Sequence, residues 1–385
     1  VRTQRYVVST VWALLATSAA IGCSDQGQPV YWSVTDSAGV RIVTHQDSPG
    51  TGPAQWRLVD PADLVIEQDE SSPDQVWSYL RSVFWLSDGS VGVGVSDPPY
   101  LRIFSPEGDV ASVVAPEGDG PGEVRGGLWA GRRGDSLLVR GRRGVSVFDG
   151  SGRYRRLVPA VAHLTDIISV TPDGWIARTE VPYDDNHGAG PPQQVHDFSV
   201  VRVDRDGVLQ DTLGRLEYPL LGTIASAVWP DLQRIASDGE RVFAVGSDTY
   251  ELREYVDRRL VTISRVPGPS RAEYTAAHIE RQGEIWGAAS DVLLESDREA
   301  GMIYAPPATS VRLDRESERV WVRRADDGRS PVHAWDVFQE GLWIAELEVP
   351  RQFSIREVRG TGVLGVWTDD FDVTGVRVYT VSETD

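Results

Sequence analysis

Lysine is absent from this 385-residue chain, and all 38 basic residues are arginine. Acids number 57, so the formal net charge is −19. A surface of that sign excludes nucleic acid as an expected partner, because phosphate backbones are held by clustered basic side chains. Both signs are mixed along the chain, which reads as a solvated surface rather than a patch. Cysteine is almost absent too. Cys23 stands alone, so no disulfide can form within the chain and the fold must rest on its core. With 41% apolar residues over this length, it can. The longest apolar stretch falls short of the ~20 residues of a comfortable membrane span. The histidines are His45, His163, His187, His196, His278 and His333, and none shows metal spacing such as H-x-x-x-H. No Ser-His-Asp order or nucleophile elbow stands out. The Gly-rich stretch Glu117–Glu123 lacks the Lys-Ser/Thr ending of a phosphate-binding loop and reads as a link between strands.

The N-terminus points to a compartment. Arg2 and Arg5 precede an apolar stretch from Val7 to Ile21, which ends in Ala20-Ile21-Gly22-Cys23. A basic start, a short apolar centre and small residues before a cleavage point make an export signal. The segment resembles a bacterial lipoprotein signal, with Cys23 at the lipidated position and Ala20 where leucine is usual. The expected division is a signal peptide over 1–22, a lipid-anchored linker over 23–38 and one domain over 39–385. Residues 1–22 hold two arginines and no acid, so the remainder carries −21. The implied location is the bacterial cell envelope, after export, with the membrane touched through the lipid alone.

What the chain has in abundance is a returning turn. Ser87-Asp88-Gly89, Arg133-Gly134-Asp135, Pro172-Asp173-Gly174, Ser237-Asp238-Gly239, Arg315-Glu316-Ser317 and Arg359-Gly360-Thr361 each sit between short β-type runs. A second turn follows most of them, as at Pro106-Glu107-Gly108, Asp149-Gly150-Ser151, Asp206-Gly207 and Gln339-Glu340-Gly341. Self-similarity with a period of roughly 45 residues predicts an all-β, six-bladed β-propeller. The blades are expected near 82–115, 126–159, 164–214, 232–266, 308–349 and 352–382.

The last of these offers only three good strands. Gly39–Thr44 alternates, with Val40, Ile42 and Thr44 on one side, and is the N-terminal strand expected to close that blade and hide its edge. One segment breaks the β pattern. Ser270-Arg271-Ala272-Glu273 has capping-box spacing, and Ala272, Ala276 and Ile279 follow at helical intervals. This predicts a helical insertion over about 270–295, between blades four and five, with that stripe packed downward. Aromatics recur at Trp85, Trp129, Trp175, Phe243, Trp321 and Trp367, where large rings would fill wedges between blades.

Tyr100-Leu101-Arg102-Ile103-Phe104-Ser105-Pro106-Glu107-Gly108, followed by the link Glu117–Glu123, resembles the NHL repeat, with Val124 where phenylalanine is usual. Over Val40–Val381 the chain resembles bacterial six-bladed β-propeller lipoproteins of NHL-repeat type. That resemblance implies a fold and little about chemistry, since propellers host binding modules and enzymes alike.

Loop length gives the sharpest functional hint. Glu180–Asp197, Val266–Ala308 and Ala325–Val332 are long, the turns at the opposite ends of the strands are uniformly short, and all three long segments should project from one face. The candidate ligand face comprises Tyr183, Asp184, Asp185, His187 and His196 in the first loop, with Asp369 and Asp370 in a neighbouring turn. The histidines and acids could serve acid–base or metal chemistry, and the aspartates, with Asp372, could hold a hard cation such as calcium. The leading reading is a monomeric, non-catalytic module, without a cofactor, that grips an envelope or extracellular protein or glycan. The alternative is a metal-dependent hydrolase or lyase with its site at the central channel.

Overall fold

The structure is a computed structural model that describes residues 31–46, 52–69, 76–77, 80–96, 99–126, 129–159, 164–180, 195–219, 234–246, 249–267, 272–287, 295, 304–326 and 329–384. Short β-branched and aromatic runs bounded by Gly, Asp and Ser fold here as antiparallel strands. The N-terminal part gives β1 (Trp32–Ser37), β2 (Val40–His45), β3 (Ala54–Leu58) and β4 (Leu64–Ile66). Four meanders follow, each pairing its strands in chain order. They are β5 (Leu80–Trp85), β6 (Val91–Ser96), β7 (Pro99–Phe104) and β8 (Val110–Val114); then β9 (Trp129–Arg133), β10 (Ser136–Gly141), β11 (Gly144–Phe148) and β12 (Tyr154–Pro159). The third is β13 (Leu164–Thr171), β14 (Gly174–Glu180), β15 (Val195–Asp204) and β16 (Leu209–Pro219); the fourth is β17 (Ile235–Ser237), β18 (Arg241–Val245), β19 (Glu251–Val256) and β20 (Arg259–Arg265). A small pair, β21 (Ala272–Glu273) with β22 (Tyr304–Ala305), flanks helix α1 (Ala276–Trp286). The chain then makes β23 (Ala308–Asp314), β24 (Arg319–Arg324), β25 (Val332–Gln339) and β26 (Leu342–Pro350), and ends in β27 (Phe353–Arg359), β28 (Gly362–Thr368) and β29 (Thr374–Glu383).

Several of the turns share one physical basis. In four hairpins a side-chain oxygen at the first turn residue accepts the amides two and four residues on. Asp149 takes Ser151 and Arg153 at 3.0 Å, Asp204 takes Asp206 and Val208 at 2.9 Å, and Asp369 takes Phe371 at 2.9 Å and Val373 at 2.8 Å. Ser105 plays the same part for Glu107 and Asp109. The fourth residue of each turn has a positive φ, for example 86° at Gly207 and 61° at Asp372. Glycine enters that region freely, and aspartate is among the few other residues that tolerate it. The Ser151 hydroxyl and the Arg153 amide hold the Asp149 carboxyl down to about 2.

The first strand of each meander lies inward. Among these, β5 touches β9, β9 touches β13, β13 touches β17, β17 touches β23, β23 touches β27, and β27 returns to β5. The arrangement is all-β and propeller-like. Apolar side chains accordingly fill wedges between consecutive sheets instead of a single centre. Phe84 and Leu101 meet Leu137 and Phe148, while Phe243 and Leu252 meet Val320 and Phe338. Trp85, Trp175, Trp321 and Phe243 are buried in such wedges, as their recurrence predicts. Trp129 is only half-buried, and Trp367 lies 3.8 Å beneath the Arg377 guanidinium.

Two expectations are corrected. The last sheet is completed by an N-terminal strand, but by β4 rather than Gly39–Thr44; Ile66 pairs with Val376 and Leu64 with Val378. Strand β2 instead runs parallel to β20, on the outer edge of the fourth meander. Its buried side chains are Val43 and His45, on the other face from Val40, Ile42 and Thr44. Strand β3 in turn lies between β26 and β29. The N-terminal strands therefore cover one outer edge after another, which shields their unpaired backbone groups. The helix is also displaced from its expected start. Its N-cap is Thr275, so Ala272 belongs to β21, and residues 270–271 lie outside the described residues. Ala276 is exposed and His278, 4% exposed, is the side chain that docks inward, because a start at 276 rotates the expected stripe outward.

Candidate functional site

In an antiparallel meander the first and third turns lie at one end of the strands, and the second turn and the crossing to the next sheet lie at the other. Helix α1 belongs to the crossing from β20 to β23, and the described residues 325–326 and 329–331 belong to the second turn of the β23–β26 sheet. They share one face, and polar contacts fasten them together. The Thr275 amide donates to His278 Nδ1 at 2.9 Å, which leaves Nε2 to donate to the Asp326 carbonyl at 3.0 Å. Glu280 of the helix pairs with Arg329. The Asp326 carboxylate accepts from Arg351 and lies 2.8 Å from His333 Nδ1.

His333 is 7% exposed, and burial depresses its pKa although Asp326 opposes the shift. His45, 3% exposed, is depressed by burial against the pull of the Gly341 carbonyl. Both are therefore neutral in the folded chain near neutral pH. The unfolded chain takes up protons at these positions as the pH falls below about 6.5, and the folded chain does so only at lower pH. Their contribution to stability is fully present above that value and is lost on acidification, by up to about 1.4 kcal/mol per pH unit for each group. Urea midpoints at pH 7.5 and 5.5 should show the loss, and His333→Asn should flatten it. An unchanged slope in the variant would contradict this account.

The residues expected at the site fare unevenly. Tyr183, Asp184, Asp185 and His187 lie outside the described residues. His196 sits in β15, where its backbone pairs with Tyr218. Asp369 uses its carboxylate to hold its own turn, and Asp370 is exposed in the same turn. Among the described residues no group of three or more His, Cys, Asp or Glu is placed to hold a metal ion.

A second feature was not anticipated. A cavity of about 1130 Å³ runs along the inner strands β5, β9, β13, β17, β23 and β27. Among the described residues nine arginines line it against three carboxylates, an inversion of the chain's overall charge. Glu357 of β27 accepts the Trp85 amide at 2.8 Å. Burial raises its pKa, and the guanidiniums of Arg359, Arg132 and Arg315 oppose the rise. Arg359 stands 3.8 Å away and lies over the Trp85 ring at 5.0 Å. Arg315 donates to the Ser237 carbonyl at 3.3 Å, which ties β23 to β17. The sequence does carry a sign of this lining. Arg132-Arg133, Arg312, Arg315, Arg356 and Arg359 all fall in or just after the second half of an inner strand, a pattern visible only once the strands are aligned.

No family model and no curated protein matches the chain. Solved structures do resemble it. A predicted exported protein of Bacteroides fragilis is 11% identical with a TM-score of 0.51, covering 89% of this chain and 100% of that one. A member of the duf4221 family from Bacteroides vulgatus is 11% identical with a TM-score of 0.50, covering 86% of this chain and 100% of that one. The β-propeller domain of the Trilobed protease of Pyrococcus furiosus is 10% identical with a TM-score of 0.40, covering 80% of this chain and 84% of that one. At these identities the first two likenesses speak to the fold.

Proposed function

We propose that this protein is an exported, lipid-anchored, six-bladed β-propeller of NHL type that acts as a non-catalytic binding module. It grips an envelope or extracellular protein or glycan with the face that carries α1 and residues 325–331. The observation that carries this reading is the fastening of α1 to that segment through His278, Asp326, Glu280 and Arg329. Ordering a helix and a long loop against each other costs conformational entropy, and a scaffold with no use for that face could connect the same strands by a short link. Six inner strands in cyclic contact and six apolar wedges support the six-blade count, with α1 as the insertion between the fourth and fifth. The anchor rests on the lipoprotein-like segment ending at Cys23. The Bacteroides fragilis protein is itself described as exported, in keeping with this location. The rival reading, a metal-dependent hydrolase or lyase, would place a cation in the channel, where nine arginines disfavour it.

Two measurements test the proposal. A fatty-acid probe should label the wild type and not Cys23→Ser; equal labelling removes the anchor. A photo-crosslinking residue at Glu284 on the exposed side of α1 should form adducts in intact envelopes, while one at Asp206, in a short turn at the other end of the strands, should not. Adducts from Asp206 alone would place recognition on the wrong face.

A further inference from the structure

The channel's charge is concentrated at the end away from α1. Arg132 and Arg133 close inner strand β9, Arg359 closes β27, and Arg315 directly follows β23. All of them therefore stand where the inner strands run into the short first turns. Along the cycle of inner strands, β9 and β23 are three steps apart in either direction, so Arg132 and Arg315 approach from opposite sides. Burial and the nearby Arg132 disfavour the charge of Arg315, Asp238 and Glu357 favour it, and Glu357 feels both guanidiniums. Arg359 is the third guanidinium around that carboxylate. Next to Arg132, Arg133 buries its Nη1 with no hydrogen-bond partner; burial, then Arg205 and Arg156, disfavour its charge against the pull of Asp173. Arg359 also pairs with Glu316 at 3.5 Å. Among the lining residues at this end, with Arg205 included, five guanidiniums stand against Asp314, Glu316 and Glu357, an excess of two positive charges. A buried donor is left unpaired beside them, in a cavity wide enough for a small ligand.

We propose that this end of the channel binds a dianionic phosphate, free or as the monoester of a small sugar. The excess of two charges matches a phosphate monoester better than a singly charged carboxylate. Planar guanidiniums offer paired donors that fit its oxygens. A guanidinium is more weakly hydrated than an ammonium and suits a partly buried anion site. Glu357, 3.8 Å from Arg359, is a negative charge that competes with the anion for the guanidiniums around it. The site is independent of the α1 face, so either can fail without the other.

Isothermal titration calorimetry on the full chain, at constant ionic strength, decides the matter with inorganic phosphate, glucose 6-phosphate, glucose and acetate as probes. Both phosphates should bind, and glucose and acetate should not. Tighter binding of glucose 6-phosphate assigns the site to a sugar ester, and equal binding assigns it to free phosphate. Arg132→Gln with Arg315→Gln should weaken binding by roughly tenfold or more, whereas Arg258→Gln, an exposed arginine paired with Asp211, should not. Glu357→Gln retains an acceptor for the Trp85 amide, removes the competing charge and should tighten binding several-fold, an outcome that loss of folding cannot mimic. No heat from either phosphate with the wild type, or unchanged affinity in Glu357→Gln together with the arginine pair, overturns the proposal.

Discussion

Asp336→Ala should be among the most destabilising single substitutions in this chain, costing about 3–5 kcal/mol. Asp336 is fully buried on β25 and accepts Arg324 Nε at 2.8 Å, Arg324 Nη2 at 2.7 Å and the Tyr250 hydroxyl. Tyr250 comes from the preceding sheet, so this carboxylate pins the wedge between two sheets, beside Phe243 and Phe338. Burial and the neighbouring carboxylate raise the Tyr250 phenol well above its ordinary pKa, so it stays protonated and remains a donor. Arg324 is in turn paired with Glu346 and lies 5.4 Å over the Trp343 ring. Removing Asp336 takes from a largely desolvated guanidinium one of its two carboxylates and from a buried phenol its acceptor, and the penalty is mainly that of unpaired groups rather than of a lost contact. Tyr250→Phe leaves both arginine bonds intact and should cost about 1–2 kcal/mol. Thermal melts should show a drop of roughly 10 °C for Asp336→Ala, and a few degrees for Tyr250→Phe. A variant within 1 °C of the parent would mean that the wedge does not depend on this network.

The difference between what was legible in the sequence and what was not follows from where each signal resides. The meanders could be read because many hairpins carry their own local chemistry, such as Asp149 or Asp204 at the head of a turn and Gly152 or Gly207 at the positive φ. The wedges could be read because Trp175 or Trp321 recurs at equivalent strand positions. Closure could not. Gly39–Thr44 alternates over enough residues to announce a strand, whereas Leu64-Val65-Ile66 is too short to show any period. Pairing of ends distant in sequence is decided by geometry, and a local pattern does not contain it. The helix was visible, but its register was not, because Ser270–Glu273 imitates a capping box that Thr275 and His278 supply. The arginine channel was hidden for a similar reason. Arg132, Arg315 and Arg359 are scattered in sequence among acids and read as a solvated surface until the inner strands bring them to one end.

Leu64→Ala combined with Ile66→Ala should cost roughly 4–8 kcal/mol, a large share of a domain's typical stability. Ile66 is 2% exposed and Leu64 9%, and both pack with Trp77, Trp85, Leu364, Val366 and Val376. Val65 between them is 45% exposed, so the strand has one buried face despite its length. That face fills the wedge between the last sheet and the first, where the two ends of the chain meet. Opening it exposes β29 as a free edge and leaves the wedge without one wall, so the loss should spread through the ring instead of staying local. The comparison that tests the assignment is Val40→Ala with Ile42→Ala on β2, whose side chains are only half-buried on an outer edge; this pair should cost about 1–2 kcal/mol. Urea unfolding followed by tryptophan fluorescence, with size exclusion to detect association through exposed edges, reads both. If the β2 pair costs more than the β4 pair, the closing strand is the one around residues 40–44 after all, and the pairing of Ile66 with Val376 is not what holds the ring shut.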